Sequence, residues 1–372
     1  MLKILDLYIL KQFVKNFLFG IFCFIIIFIL VDLFENLDKF IDKNLTTGLI
    51  FQYYIYFIPE ILKLITPVGM LLATLFTISR FNNYSEMTAI HSSGISIFRI
   101  TLSIMIFGLF MTILSIYFNG WIVPKSNSAK FNFERKYLDK NKIAGLIQNL
   151  HIQDSDNHII SIGSYNESDK AGSNTSVQIF NKSNLSRLDF RFDAKIMKWD
   201  SIKNEWKLIN VTKREFDSVS FEKISFFDTI YVTDVPEISR IYLSPVQILN
   251  KQLKPDELLL SDQEDLIKSL EESGQNVSKA KVDYYSKISF PFANLIIIFF
   301  GLSISSGNRK TGVALQFGIS ILIAFIYLGF IKVSQTLGYN GELSPVLTAW
   351  FANILFFSLA MINLLRKNII WK

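Results

Sequence analysis

The sequence predicts an α-helical membrane protein with six transmembrane helices in two groups of three. An all-β, jelly-roll-like domain is inserted between the groups. Three observations predict this. Apolar runs long enough to cross a bilayer crowd both ends of the 372-residue chain, although its 50% hydrophobic share is ordinary for a soluble protein. A polar block between them alternates apolar and polar residues as half-buried strands do. Lysine and arginine gather at alternate ends of the apolar runs, the bias seen on the cytoplasmic side of membrane proteins. That bias also accounts for the net charge of +6, so the charge does not indicate a nucleic-acid partner.

The first helix is expected over residues 13–34, with an uncharged core at 17–31. Lys3, Lys11 and Lys15 precede it and Asp32, Glu35 and Asp38 follow, which places its leading end in the cytoplasm. No small-residue cleavage site follows the run, so it reads as an uncleaved span and not a signal peptide. An external segment, 35–48, leads to the second helix at 49–79. There Pro59 and Pro67 predict a kink or break near the outer surface. Glu60 and Lys63 stand one turn apart and can pair, either at a substrate contact or as charges of a tilted helix reaching outward.

Residues 80–99, RFNNYSEMTAIHSSGISIFR, are about three turns longer than a hairpin between two spans needs. Met87, Ile90 and His91 recur at helical spacing, Gly94 is a stop, Ser85 suits an N-cap, and Glu86 in the first turn favours the positive helix end. This predicts a short helix at the membrane surface, a handle for a partner protein. The third helix, 97–123, is expected to end outside at Trp121 and Pro124.

In the polar block, strands are expected at 158–162, 176–180, 188–199, 206–211 and 216–221, with a hairpin turn at 200–205 between Trp199 and Trp206. A charged amphipathic helix over 255–273 and a second through Tyr284 and Tyr285 link this domain to the fourth span, 288–305, where Pro291 is tolerated near the start. A basic turn at 306–312, the fifth span at 313–337, an external loop at 338–344 and the sixth span at 345–365 complete the chain. The expected division is therefore 1–124 (three spans and the surface helix), 125–254 (β domain), 255–286 (helical linker) and 287–372 (three spans). Both termini are then cytoplasmic and the β domain external.

Little in the chain suits catalysis. A single cysteine, Cys23, excludes an intramolecular disulfide, a cysteine zinc site or an iron–sulfur cluster, and His91, His151 and His158 lack ligand spacing. Neither G-x-S-x-G nor H-E-x-x-H occurs, and 307–311 (GNRKT) lacks the spacing and the strand–helix setting of a phosphate loop. No catalytic residue, metal or cofactor is expected. Glu60, Lys63 and Lys332 are too few intramembrane titratable groups for a proton-driven pump, so any transport draws its energy elsewhere.

Four stretches in order carry a family resemblance: 85–94 (SEMTAIHSSG), 119–124 (NGWIVP), 287–293 (KISFPFA) and 337–353 (LGYNGELSPVLTAWFAN). With them the whole chain resembles the LptF/LptG (YjgP/YjgQ) permeases of lipopolysaccharide export, and 269–275 (SLEESGQ) looks more like the LptG branch. The resemblance implies a non-catalytic permease subunit of an ATP-driven exporter in a bacterial inner membrane. Its implied partners are a second LptF/LptG-type permease, a dimer of LptB-like ATPases, and LptC-like and LptA-like proteins of a periplasmic bridge that receives the lipid. Ser85, Glu86, Met87, Ile90, His91 and Gly94 would then form a coupling helix at about 85–93, docked in an ATPase groove with Glu86 facing a basic residue. Alternatively Glu86 is simply the favourable charge of a helix start, and both roles can hold together.

Phe24, Phe28, Val31 and Phe34 on the first span, with Ile319, Ile323, Ile326 and Phe330 on the fifth, would border the lipid gate and cavity; the alternative is that they face bulk lipid or another helix. Only Lys39 and Lys43 offer cations to lipid phosphates at the outer mouth, beside Asp32, Glu35 and Asp38. That departs from the family habit, so either the partner supplies the cations or the lipid carries fewer phosphates. The competing function is a mechanotransmitter or scaffold subunit of an ABC-type complex, which would drive the β domain without moving lipid.

Overall fold

The computed structural model describes residues 4–94, 97–138, 146–155, 157–181, 183–216, 222–238, 241, 244–272, 274–305 and 313–370. The chain divides into a membrane unit, Met1–Leu138 with Ser278–Lys372, and a β unit, Asp139–Val277.

In the membrane unit α1 (Ile4–Asp42) is followed by α2 (Thr47–Asn83), the short α3 (Glu86–Ser92) and α4 (Ile97–Tyr117). One turn of π-helix (Phe118–Ile122) joins α4 to α5 (Val123–Tyr137). Among the described residues, six helices are long and apolar enough to cross a membrane, as the sequence predicts. Helix α2 is the hub: α1, α5 and two later helices, α9 (Ala293–Ser305) and α10 (Val313–Tyr339), all pack on it. Small residues let them approach. A Cβ on Gly20 of α1 would lie 3.0 Å from Leu72, and one on Gly69 would lie 3.0 Å from Ile21.

Two expectations for this unit change. Helix α2 runs unbroken through Pro59 and Pro67, because packing on several sides holds it and Thr66 Oγ1 adds a bond to the Leu62 carbonyl at 2.6 Å. The third span does not give way to β structure at residue 125. Pro124 follows the turn of π-helix, where the Val123 N–H bonds the Phe118 carbonyl, and this local rearrangement carries the helix past the missing N–H; Phe133 and Leu138 then bury against Phe40, Tyr53 and Tyr54. Helices α1, α2 and α5 thus extend together past the bilayer: α2 alone is about 55 Å long against a hydrocarbon core of about 30 Å.

The β unit is a six-stranded antiparallel meander, β1 (Leu146–Ser155), β2 (His158–Asn166), β3 (Ala171–Asn181), β4 (Asn184–Asp200), β5 (Glu205–Phe216) and β6 (Glu222–Tyr231), in that order. It is the inserted β domain expected, with β1 added and the last strand at 222–231; residues 217–221 of the expected fifth strand lie outside the described residues. The 200–205 turn joins β4 to β5, with Trp199 and Trp206 in edge contact at 5.1 Å.

Inward residues alternate, then skip one: Ile160, Ile162 and Tyr165 on β2; Phe192, Ala194 and Met197 on β4; Trp206, Leu208 and Val211 on β5. The skips fall opposite one another, at Gly163, Asn174, Lys195 and Asn210, so one crease crosses the sheet. Asn174 (φ 50°) and Asn210 (φ 53°) adopt the left-handed conformation there, and Gly163 has no room for a Cβ, 3.1 Å from that of Asn174. The crease turns the meander over a single core, which Val232, Val235, Ile238 and Ile248 close.

Helices α6 (Pro245–Gln252) and α7 (Leu260–Glu272) belong to this unit. A capping box starts α6: Ser244 Oγ accepts from the Gln247 N–H and Gln247 Oε1 accepts from the Ser244 N–H. Helix α8 (Ser278–Ser289), a 3₁₀ turn at Phe290–Phe292 and α9 (Ala293–Ser305) return the chain to the membrane unit, which α10 (Val313–Tyr339) and α11 (Pro345–Ile370) complete.

Asp200 ties the β4–β5 turn by accepting from the N–H groups of Ile202 (2.9 Å) and Lys203 (3.2 Å), bonds that hold its carboxyl below the usual range. A depressed carboxyl stabilises the fold above its unfolded value and loses that contribution as pH falls through its folded one. The Ile202 and Lys203 amide NMR signals are therefore expected to shift in acid with a midpoint below about 3.9. A midpoint at or above that value contradicts the turn.

Candidate functional site

Helix α3 is built by the turn before it. Helix α2 ends as the Tyr84 N–H bonds the Arg80 carbonyl at 3.0 Å, and Ser85 then turns left-handed (φ 57°). Its carbonyl accepts the first α3 bond, from the Ala89 N–H at 3.1 Å. Ser85 therefore starts the helix through its main chain, without the extended backbone of an ordinary N-cap. At the other end Gly94 is left-handed (φ 76°), as its stop role requires, and the Ser92 and Ser93 hydroxyls bond the Thr88 and Ala89 carbonyls, each at 2.9 Å.

The face of α3 differs from a simple docking stripe. Met87 is 6% exposed and Ile90 packs with it on the core formed by α1, α2 and α4, so both fasten the helix to the bundle. Thr88, Ala89, Ser92 and Ser93 face outward, and Glu86 sits at the margin. The His91 side chain lies outside the described residues.

Glu86 is engaged across the chain: the Tyr8 hydroxyl of α1 donates to its Oε2 at 3.0 Å, and the Tyr8 ring stacks on Phe81 at 5.9 Å. More polar rungs follow along the first third of α1. Ser103 Oγ donates to Asp6 at 3.3 Å, Arg80 donates to Gln12, Gln12 donates to Asn16 at 3.2 Å, and Asn16 donates to Thr77 at 3.0 Å. Apart from Gln12 and Asn16, one helical turn apart, sequence spacing gives no sign of these contacts, because partners such as Tyr8 and Glu86 are 78 positions apart.

The proposed gate residues divide. Phe24 is buried against α2, and Ile319 and Ile323 pack into the core shared by α2, α9 and α11. Phe28, Val31 and Phe34 on α1 and Ile326 and Phe330 on α10 are exposed, Phe34 at 73%. Among the described residues α1 packs on α2 and α4 while α10 packs on α11, α2 and α8, and the two helices share no extended interface. Lys39 and Lys43 are exposed at the C-terminal end of α1.

A mostly buried polar cluster between the first half of α2 and the middle of α5 has no counterpart among the expected site residues. Lys130, 7% exposed, donates to Glu60 at 2.6 Å and lies 4.3 Å above the Phe57 ring. Tyr53 donates to Glu134 at 3.4 Å beside it, and on α1 the Asn36 side chain donates to the Asp32 carbonyl at 3.0 Å. Glu60, which the sequence places one turn from Lys63 and able to pair with it, meets a cation of α5 at 2.6 Å.

The sequence profile described as "Lipopolysaccharide export system permease LptF/LptG" matches residues 7–367. The LptG permease protein of Escherichia coli K12 is 24% identical over 352 residues, covering 92% of this chain and 94% of that protein. The LptG protein of Haemophilus influenzae is 21% identical over 314 residues, 84% of each chain. The LptF protein of Escherichia coli K12 is 21% identical over 370 residues, 95% of this chain and 93% of that one. The match runs through all six membrane helices and the inserted sheet: this chain belongs to the LptF/LptG family of lipopolysaccharide export permeases.

Proposed function

We propose that the chain is one transmembrane half of an ATP-driven lipopolysaccharide exporter in a bacterial inner membrane. A separate LptB-like ATPase dimer docks on the outward face of α3, through Glu86, Thr88, Ala89 and Ser92. A second LptF/LptG-type permease completes the pathway. Both ends of the chain lie on the cytoplasmic side and the β unit is periplasmic.

The observation that carries this reading is α3 itself: a short rigid helix, fixed to the bundle by Met87 and Ile90 and presenting small side chains beside one carboxylate. Small outward residues allow close approach of a partner, and the fixed inner face passes a displacement to the spans without slack.

Two features support movement of lipid over a purely mechanical subunit. The exposed apolar faces of α1 and α10 supply the dry wall that acyl chains require. Because these helices share no extended interface within the chain, a gate lined by both is completed by the second permease placing its own helices opposite. The two edges of the described sheet differ as well. At β1 Gln275 donates to the Gln153 carbonyl, whereas β6, beyond which no described strand pairs, exposes Ile224, Phe226 (78%) and Phe227. An open apolar edge suits extension by a strand of an LptC-like protein, leading to LptA-like units of the bridge.

Mild extraction of the tagged chain from its native membrane, followed by identification of what co-purifies, tests the proposal. The expected result is an ATPase, a second permease and bound lipopolysaccharide. An ATPase with neither lipid nor second permease points to the mechanotransmitter, and no ATPase at all removes the role given to α3.

A further inference from the structure

We infer that Tyr8 is a positioning residue that couples α3 to α1, so that a displacement of α3 is delivered to the first membrane helix; this rests on α3 being the ATPase dock. Helix α3 is joined to α2 by the turn at Tyr84 and Ser85 and packed on the shared core of the bundle through Met87 and Ile90. The Tyr8 hydroxyl adds a separate, charge-assisted tie from α1 to its first residue. It uses only Oε2 of Glu86, and a carboxylate has acceptor capacity on both oxygens, so a partner cation can bind Oε1 without displacing Tyr8.

The rest of α1 is arranged as a lever. Its first third is pinned by Asp6 to Ser103, Gln12 to Arg80 and Asn16 to Thr77. Its outer end is pinned by Phe40 against Tyr53. Between them Phe28, Val31 and Phe34 lie exposed on one unbroken helix that contains no proline. Tyr8 and Phe28 are about 30 Å apart along that helix, so a tilt applied at Tyr8 reaches the apolar face rigidly. Tyr8 is where the docking helix meets the helix that carries the gate face.

Tyr8→Phe removes the hydroxyl and keeps the ring on Phe81. In the full chain the amides of residues 86–93 are expected to exchange about tenfold faster. In the purified exporter, reconstituted in vesicles with lipopolysaccharide, the ATPase is expected to co-purify at the unmodified yield, while lipid moved per ATP falls about fivefold or more. A merely structural tyrosine leaves that ratio alone. Unchanged exchange overturns the contact, and faster exchange with an unchanged lipid-per-ATP ratio overturns the coupling role. Failure of any ATPase to co-purify with the unmodified chain overturns the function on which the inference rests, and the exchange data still decide the contact by themselves.

Discussion

Glu86→Lys is expected to strip the ATPase from the complex while the membrane unit stays folded. The side chain lies at the margin of α3, so the exchange leaves Met87 and Ile90 in place and costs only the bond from Tyr8, about 1 kcal/mol. At the proposed ATPase interface it would replace attraction to a basic residue by repulsion, a swing of several kcal/mol, so docking is expected to weaken about 100-fold or more. Titration of the purified permease pair with the ATPase reads the affinity, and a melting curve of the same sample reads the fold. Glu86→Gln, which keeps an acceptor for Tyr8, is expected to fall between the two, with less dependence on salt. Undiminished docking of Glu86→Lys rules out Glu86 as the contact.

The second large effect is on stability. Lys130→Met leaves the Glu60 carboxylate at the α2–α5 contact without the cation at 2.6 Å; breaking a fully buried pair costs about 3–5 kcal/mol, and with Glu60 21% exposed the loss is expected at or below the low end, about 2–3 kcal/mol. The stack on Phe57 is lost as well. Adding Glu60→Leu removes the stranded charge and fills the space with apolar atoms, so the double variant is expected to regain most of the loss. Thermal unfolding of the detergent-solubilised chain measures both. A single variant as stable as the parent, or a double variant no better than the single, contradicts the account of this cluster.

The spans were legible because hydropathy is a local property: a run of apolar residues declares itself whatever surrounds it. The continuation into α5 was not, since KSNSAKFNFERKY reads as loop or strand until Phe133 and Leu138 find Phe40 and Tyr53. Within the site, the surface helix and its Gly94 stop follow from spacing alone. Which face is free does not, because Met87 and Ile90 offer one apolar stripe equally suited to bundle or partner. Tyr8 with Glu86 and Lys130 with Glu60 are pairs made by tertiary approach, and neither period nor motif joins them. The sheet crease left one trace, asparagine inside two strands at 174 and 210, a residue type that tolerates left-handed backbone.

That crease also sets the rule for length variation in the β unit. Since β2, β3, β4 and β5 change face at the same rank, each strand is counted outward from one common mark. Deleting a single residue between Asn174 and Val177 shifts the phase of one strand against its neighbours and turns Val177 and Ile179 to water. Lengthening the Asn166–Ala171 or Asp200–Glu205 turns adds chain beyond the counted region and leaves the phase untouched. Insertions are therefore tolerated at the tips of these hairpins and excluded along the line where the asparagines lie.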